Sequence, residues 1–219
     1  MVPLYTPPGD VSWTEVIGIR KAHPSVPLIA VVNPSDGPGP SRGEELSRGM
    51  ADLRRVGVTV LGYVHTSYTE RSRSSAEADV RAYRRWYELK GVMIDEMSNT
   101  RGDEGYYSAL SRHAKSLGMT FAVGNPGTEA PASFTRTVDC LVIHEDSGPP
   151  PLSLLRGYGR VSPSHLAYIS HSVPALDVSF ERRSASLVGW LYITDAKMPN
   201  PYDRLPSYFD EEVRALETT

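Results

Sequence analysis

The chain has 219 residues, 40% apolar and 22% charged, a length that suits one α/β barrel, since such barrels begin at roughly 200 residues. A formal charge of −3 leaves no basic footprint, so no nucleic acid partner is expected. The single cysteine, Cys140, excludes an intrachain disulfide, and no run reaches the roughly 18 apolar residues of a membrane span.

Short apolar runs alternate with helix-like segments along the chain. Val2 to Tyr5 reads as a brief strand closed by Pro7, Pro8 and Gly9. Ser12 is the expected cap of the first helix, with Glu15 completing a capping box. Pro27 to Val32 is the second strand, and Glu44 to Arg55 a helix with Leu46, Met50 and Leu53 at helical spacing. Val58 to Val64 is the third strand, followed by an amphipathic helix over Ala76 to Leu89 in which Tyr83, Trp86 and Tyr87 share a packing face. The fourth strand opens GVMIDEM, residues 91–97, where four nearly apolar residues run into Asp95 and Glu96. Asp103 to Leu117 is the next helix, with Gly118 as its stop. Met119 to Val123, Cys140 to Ile143, Leu166 to Ile169 and Val188 to Ile193 are strands five to eight, and a last helix covers Ser207 to Leu216. The helices after strands five, six and seven look short or irregular.

Eight strands alternating with helices, with no GxGxxG and no Walker sequence, predict a (β/α)8 TIM barrel spanning 1–219 as one catalytic domain. In such a barrel the carboxyl ends of all strands surround one mouth. Those ends carry Tyr5, Asn33, Tyr63 with His65, Asp95 with Glu96, Asn125, His144 with Glu145, His171 and Asp195. An acidic, amide-rich and aromatic rim suits a neutral polyhydroxylated ligand, because amides and carboxylates bind hydroxyls and aromatic faces stack on sugar rings. With Lys and Arg sparse at these ends, no phosphate or nucleotide cofactor is expected, and no HExxH or HxH spacing argues for a metal. Two carboxylates across a pocket are what glycoside hydrolysis needs, one protonated as acid and one ionised as base or nucleophile. Asp95, Glu96 and Glu145 are the candidates, with roles undivided. Strand alternation aims one of Asp95 and Glu96 inward and the other toward the helices, but the rule loosens at a strand's last residues, where both can reach the pocket.

Plainer readings stand beside these. A lone acid at a strand end is commonly a cap or loop acceptor. His65, His144 and His171 suit structural or ligand contacts better than metal ligation, and Cys140 reads as a buried, inert thiol.

VPLY, VVNPSDGPG, LGYVHTSYTER, GVMIDEM, VGNPGT, LVIHE, YITD and NPYDRLPSYFDEEV occur in this order along nearly the whole chain. Together they resemble the spherulin-4-like family of glycoside hydrolases. The resemblance implies a (β/α)8 barrel and, after the characterised fungal members, endo-cleavage of α-1,4-linked N-acetylgalactosamine in a galactosamine-containing exopolysaccharide. By motif, the family's acidic pair falls on Asp95 and Glu96 and its further acid on Glu145. Two departures exist. Met1 leads straight into the first strand with no export signal, which fits a cytoplasmic chain or an extracellular one whose leader was trimmed. The stretch DSGPPPLSLLRGYGR after Glu145 looks compact for a groove that holds a polymer. The expected protein is a metal-independent, cofactor-free hydrolase, monomeric or a simple homo-oligomer. The alternatives are a barrel enzyme using the same acids on a small glycoside or specialised metabolite, and a barrel that binds sugar without cleaving it.

Overall fold

Runs of Val, Ile, Leu and Ala supply strands buried on both faces, as a parallel sheet wrapped in helices requires. In the computed structural model, which describes residues 1–217, these runs are β1 (Val2–Leu4), β2 (Ile29–Val32), β3 (Thr59–His65), β4 (Gly91–Asp95), β5 (Phe121–Gly124), β6 (Cys140–Ser147), β7 (Leu166–His171) and β8 (Trp190–Ile193). Each pairs in parallel with the next, in the order β1 to β8. The Met1 nitrogen donates to the Leu191 carbonyl at 2.6 Å and draws the first and last strands together in a nearly closed barrel. Among the described residues no helix is long and apolar enough to cross a membrane.

The helices are α1 (Val11–Ala22), α2 (Glu44–Arg55), α3 (Arg73–Tyr87), α4 (Glu104–Ser116), α5 (Leu152–Gly157), α6 (Val178–Ala185) and α7 (Phe209–Ala215). The predicted stripe of α2 is realised: Leu46, Met50 and Leu53 are its buried residues. Glu44 and Glu45 in its first turn and Arg54 and Arg55 in its last complement the helix dipole. The connection between β5 and β6 holds only a 3₁₀ turn, Ala132–Arg136, in place of an α-helix, and α5 is a turn and a half long.

One expected cap is corrected. Asp10, not Ser12, caps α1: its carboxylate accepts the Ser12 N–H at 2.9 Å, and Ser12 lies inside the helix, buried. The turn over Pro7 to Gly9 delivers Asp10 one residue before the helix, and aspartate caps as well as serine. Glu15 stays exposed and closes no box. The strand ends also shift. Tyr5 falls just beyond β1, while β6 continues through His144, Glu145 and Asp146, and β7 through His171.

Tyr83, Tyr87, Tyr107, Tyr168 and Tyr192 are fully buried between sheet and helices. Tyr83 fits only because β3 carries Gly62 beneath it: a Cβ there would sit 2.4 Å from the phenol ring. Trp86 is only half-buried and stands edge-on to Tyr87, ring centroids 6.3 Å apart. Cys140 is buried and free, and burial pushes its thiol pKa up, as an inert thiol requires.

Candidate active site

Gly62 faces α3, so by alternation Leu61 and Tyr63 face the barrel interior. Tyr63 pairs in register with Met93, and His65 with Asp95, which puts Asp95 on the inward face of β4. Glu96, one residue on, lies beyond the strand's last residue. It has a φ of 50°, and its Oε2 accepts the Ser67 N–H at 3.1 Å. Alternation therefore places Asp95 but does not govern Glu96, which has left the extended backbone.

Asn125 follows β5 and is locked to β4: its N–H donates to the Ile94 carbonyl at 2.8 Å, and its carbonyl accepts from Met97 at 2.9 Å. The Asn125 Oδ1 accepts the Gly127 N–H at 3.0 Å. That contact fixes the amide's orientation, because only the NH2 side remains to face the carboxylates. Nδ2 donates to Asp95 Oδ1 at 2.8 Å and to Glu145 Oε2 at 2.5 Å. Two such contacts from one nitrogen bring an oxygen of each carboxylate to the same amide.

Glu145 reaches this position through a bulge. Val142 pairs with Ala167 but Glu145 with Ile169, so β6 carries one extra residue just before the acid. Bulges beside active sites re-aim a side chain in this way. The Tyr202 hydroxyl donates to Glu145 Oε1, filling its second oxygen. Tyr5 stands edge-on to both Tyr63 and Tyr202, with centroids 5.7 Å and 5.5 Å apart, and so joins the two phenols into one aromatic wall.

Burial, and then the nearby charge of Glu145, raises the Asp95 pKa above the usual carboxylate range, against hydrogen bonds from Tyr63 and Asn125 that lower it. Burial also raises the phenols of Tyr5, Tyr63 and Tyr202; the charge of Asp95 pushes all three further, and that of Glu145 adds to Tyr5 and Tyr202. These tyrosines are hydrogen-bond donors at any working pH.

The structure thus gathers Tyr5, Tyr63, Asp95, Asn125 and Glu145 around one point. The other strand-end residues have loop partners. Asn33 Oδ1 accepts the Gly37 N–H at 3.2 Å, and with Tyr5 it lines a cavity of ≈ 200 Å³. His65 Nδ1 donates to the Asp36 carbonyl at 2.6 Å, and His144 Nε2 to the Gly148 carbonyl at 3.2 Å. His171 Nδ1 meets the Ser172 hydroxyl at 3.0 Å. Asp195 forms a two-pronged ion pair with Arg204 at 2.8 Å and 3.0 Å. That hydrogen bonding holds its carboxyl below the usual range. Arg204 therefore places a guanidinium beside the eighth strand end, which counting strand ends alone did not register. Among the described residues no three His, Cys, Asp or Glu side chains are placed to share a metal ion. In the stretch after Glu145, Pro151, Ser153 and Leu154 line a cavity of ≈ 500 Å³ together with Glu129 and Pro131.

Tyr202 was missed by the strand-end rule because it lies nine residues after β8 ends, in the loop before α7. Its signal was the NPYDRLPSYFDEEV block, which carries the family resemblance but marks no single residue.

Residues 1–216 match the Spherulin4 family, the spherulation-specific family 4. The chain belongs to that family. It is 31% identical over 233 residues to spherulin-4 of Physarum polycephalum, covering 99% of this chain and 69% of that protein. Among solved structures it superposes on Aspergillus clavatus Sph3 in complex with GalNAc with a TM-score of 0.89 at 24% identity, covering 99% of this chain and 96% of that one. A more distant likeness is the active domain 2 of a thermostable chitinase from Pyrococcus furiosus, complexed with chito-oligosaccharides (TM-score 0.60, 11% identity, 99% and 94% covered). Both likenesses establish the barrel fold.

Proposed function

We propose that this spherulin-4 family member is a glycoside hydrolase that cleaves within a polysaccharide containing N-acetylgalactosamine or galactosamine. The observation that carries the reading is the single Asn125 amide nitrogen shared by Asp95 and Glu145. It brings one oxygen of each carboxylate, from β4 and β6, to the same amide, and such close pairing of the two acids supports a retaining mechanism over an inverting one, which needs room for a water between them. The GalNAc bound by Sph3 supports the choice of sugar.

Under this reading Asp95, whose environment favours the protonated form, gives its proton to the glycosidic oxygen as the bond to the leaving sugar breaks. Glu145, oriented by Asn125 and Tyr202, attacks the anomeric carbon and forms a glycosyl ester. Asp95, now ionised, takes a proton from water; the hydroxide attacks the same carbon, releasing the sugar and restoring both acids. Glu96 is the third acid. Ser67 holds one of its oxygens and leaves Oε1 for a substrate hydroxyl or amide. Tyr5 and Tyr63 supply the apolar wall and donors that orient the ring.

The test is incubation of a partially acetylated galactosamine polymer with wild type, Asp95→Asn, Glu96→Gln and Glu145→Gln. Products are read by mass spectrometry and folding by circular dichroism. Oligosaccharides from wild type and a loss of at least about 10³-fold in Asp95→Asn and Glu145→Gln are expected. No product from folded wild type sinks the reading for this substrate.

A further inference from the structure

Tyr68 lies in the loop between β3 and α3, at the same end of the barrel as the acids, and is one of three exposed large hydrophobic residues among those described, at 60% exposure. Its backbone is the most strained stretch of the chain: Ser67, Tyr68 and Thr69 are consecutive non-glycine residues with φ of 46°, 54° and 83°. Side chains rarely adopt such angles singly, and three in a row persist only where the surroundings over-determine them.

The surroundings do so through Glu96. Tyr68 N–H donates to the Glu96 carbonyl at 2.8 Å, and Ser67 N–H donates to the Glu96 carboxylate at 3.1 Å. The Thr66 hydroxyl is within hydrogen-bond reach of the Asp95 and Glu96 carbonyls, at 3.0 Å and 2.8 Å. Behind the loop, Arg71 N–H donates to Thr66 at 3.2 Å, its guanidinium donates to the His65 carbonyl at 3.0 Å and pairs with Asp79 at 2.7 Å, and the Tyr106 hydroxyl donates to the Arg71 carbonyl at 2.9 Å. Each peptide N–H from Thr66 to Arg71 is hydrogen-bonded, yet the Tyr68 hydroxyl has no hydrogen-bond partner among the described residues and its ring is open to solvent. Nothing in the fold uses that ring.

A rigid loop that presents a bare aromatic ring beside an acid has already met the ordering cost of binding. We propose that Tyr68 is a sugar-stacking platform, a binding subsite beyond the Asp95 and Glu145 pair that takes the apolar face of a hexosamine unit in the same substrate chain. The proposal rests on the hydrolase reading above. Strain in the loop keeps the platform in register with Glu96, so the sugar on Tyr68 and the acids of β4 are aligned by one set of backbone hydrogen bonds.

The experiment measures binding of a partially acetylated α-1,4-galactosamine hexasaccharide by calorimetry in the Asp95→Asn background, alone and with Tyr68→Ala, Tyr68→Phe or Tyr68→Gly. Cleavage of the same sugar is followed in the wild-type background, and melting temperatures are recorded throughout. Tyr68→Ala is expected to weaken binding roughly tenfold, the scale of one lost aromatic contact, and to raise KM more than it lowers kcat. Tyr68→Phe stays within about twofold of its parent, since the ring and not the hydroxyl binds. Tyr68→Gly loses affinity like the alanine variant while melting no lower than its parent, because glycine relieves the left-handed backbone. Undiminished binding by Tyr68→Ala overturns the platform and leaves the hydrolase reading intact. Affinity and melting temperature falling together in Tyr68→Gly overturns it in favour of a packing role. Failure of wild type to cleave the hexasaccharide and of the parent to bind it overturns both.

Discussion

The Tyr202 hydroxyl donates to Glu145 across 57 positions of sequence, joining the loop before α7 to the bulged end of β6. Removing that donor leaves Glu145 with Asn125 alone on its other oxygen. A hydrogen bond to a charged group contributes about 1.5–3 kcal/mol. Tyr202→Phe keeps the ring that packs on Tyr5, so the fold should be unaffected while kcat falls roughly 10- to 100-fold. Steady-state kinetics on the galactosamine polymer, with near-ultraviolet circular dichroism as the control for aromatic packing, checks this. An unchanged kcat sets Tyr202 aside as a wall residue.

Asn125 is 2% exposed, and its amide nitrogen donates to both acids. Asn125→Asp replaces a shared donor with a third carboxyl that has nothing to donate once ionised. We expect activity to vanish at neutral pH and stability to fall by about 3–5 kcal/mol, the cost of an uncompensated buried charge. Part of that stability should return in acid as the new carboxyl is protonated. Urea denaturation at pH 7 and pH 5 measures both effects.

Asp95 is raised by burial first and by the charge of Glu145 second. A carboxyl whose folded pKa lies above its unfolded value stabilises the protein below the unfolded pKa. That contribution is lost as pH rises through the folded pKa. In the proposed mechanism this proton goes to the glycosidic oxygen, so kcat/KM should decline on the alkaline side as Asp95 ionises. Glu145→Gln removes the neighbouring charge and should move the Asp95 titration toward lower pH, read by carbon NMR of its carboxyl. A titration that stays in place means that Glu145 contributes nothing to the shift.

The barrel was legible because each strand is a separate apolar run bounded by turns, and parallel strands buried on both faces leave that signature in sequence. Asp95, Asn125 and Glu145 were legible because β-strand ends converge in this fold. Their mutual geometry was not. The extra residue in β6 that turns Glu145 toward Asn125 is a register shift against β7, and register is invisible in a single strand. Tyr202 reaches the site from mid-loop, where no periodicity operates. The Asp10 cap was passed over because Ser12 and Glu15 satisfy the same local pattern, and only the path of the turn before them decides between the two.

Gly62 tests how closely α3 must approach the sheet. A Cβ at that position would stand 2.4 Å from the Tyr83 ring, and Tyr83 is fully buried. Gly62→Ala should therefore cost about 1–3 kcal/mol by overpacking. The double variant Gly62→Ala with Tyr83→Leu should recover part of the loss, because the smaller side chain vacates the contact. Additive losses in a double-mutant cycle would show that the two positions do not meet in solution.

Glu181 on α6 offers a second pH effect remote from the mouth. It is 0% exposed, and neither carboxylate oxygen has a hydrogen-bond partner among the described residues. Glu212 on α7, also buried, has no partner for its Oε2 among the described residues, while Oε1 accepts the Ile193 N–H at 3.0 Å. Burial raises the Glu181 pKa to about 8, with Arg182 opposing and Glu211 adding to the shift. The unfolded value is about 4.3. Glu181 therefore favours the folded state most in acid, and that contribution drains away between about pH 4.3 and pH 8 as the native state must either hold a proton or bury a charge. Glu181→Gln cannot ionise, so its stability should exceed that of wild type at pH 8.5 by about 1–3 kcal/mol, and the gap should close as pH falls toward 5. Urea midpoints across that range decide the matter. A gap that stays constant with pH would trace the difference to packing of the amide rather than to a proton.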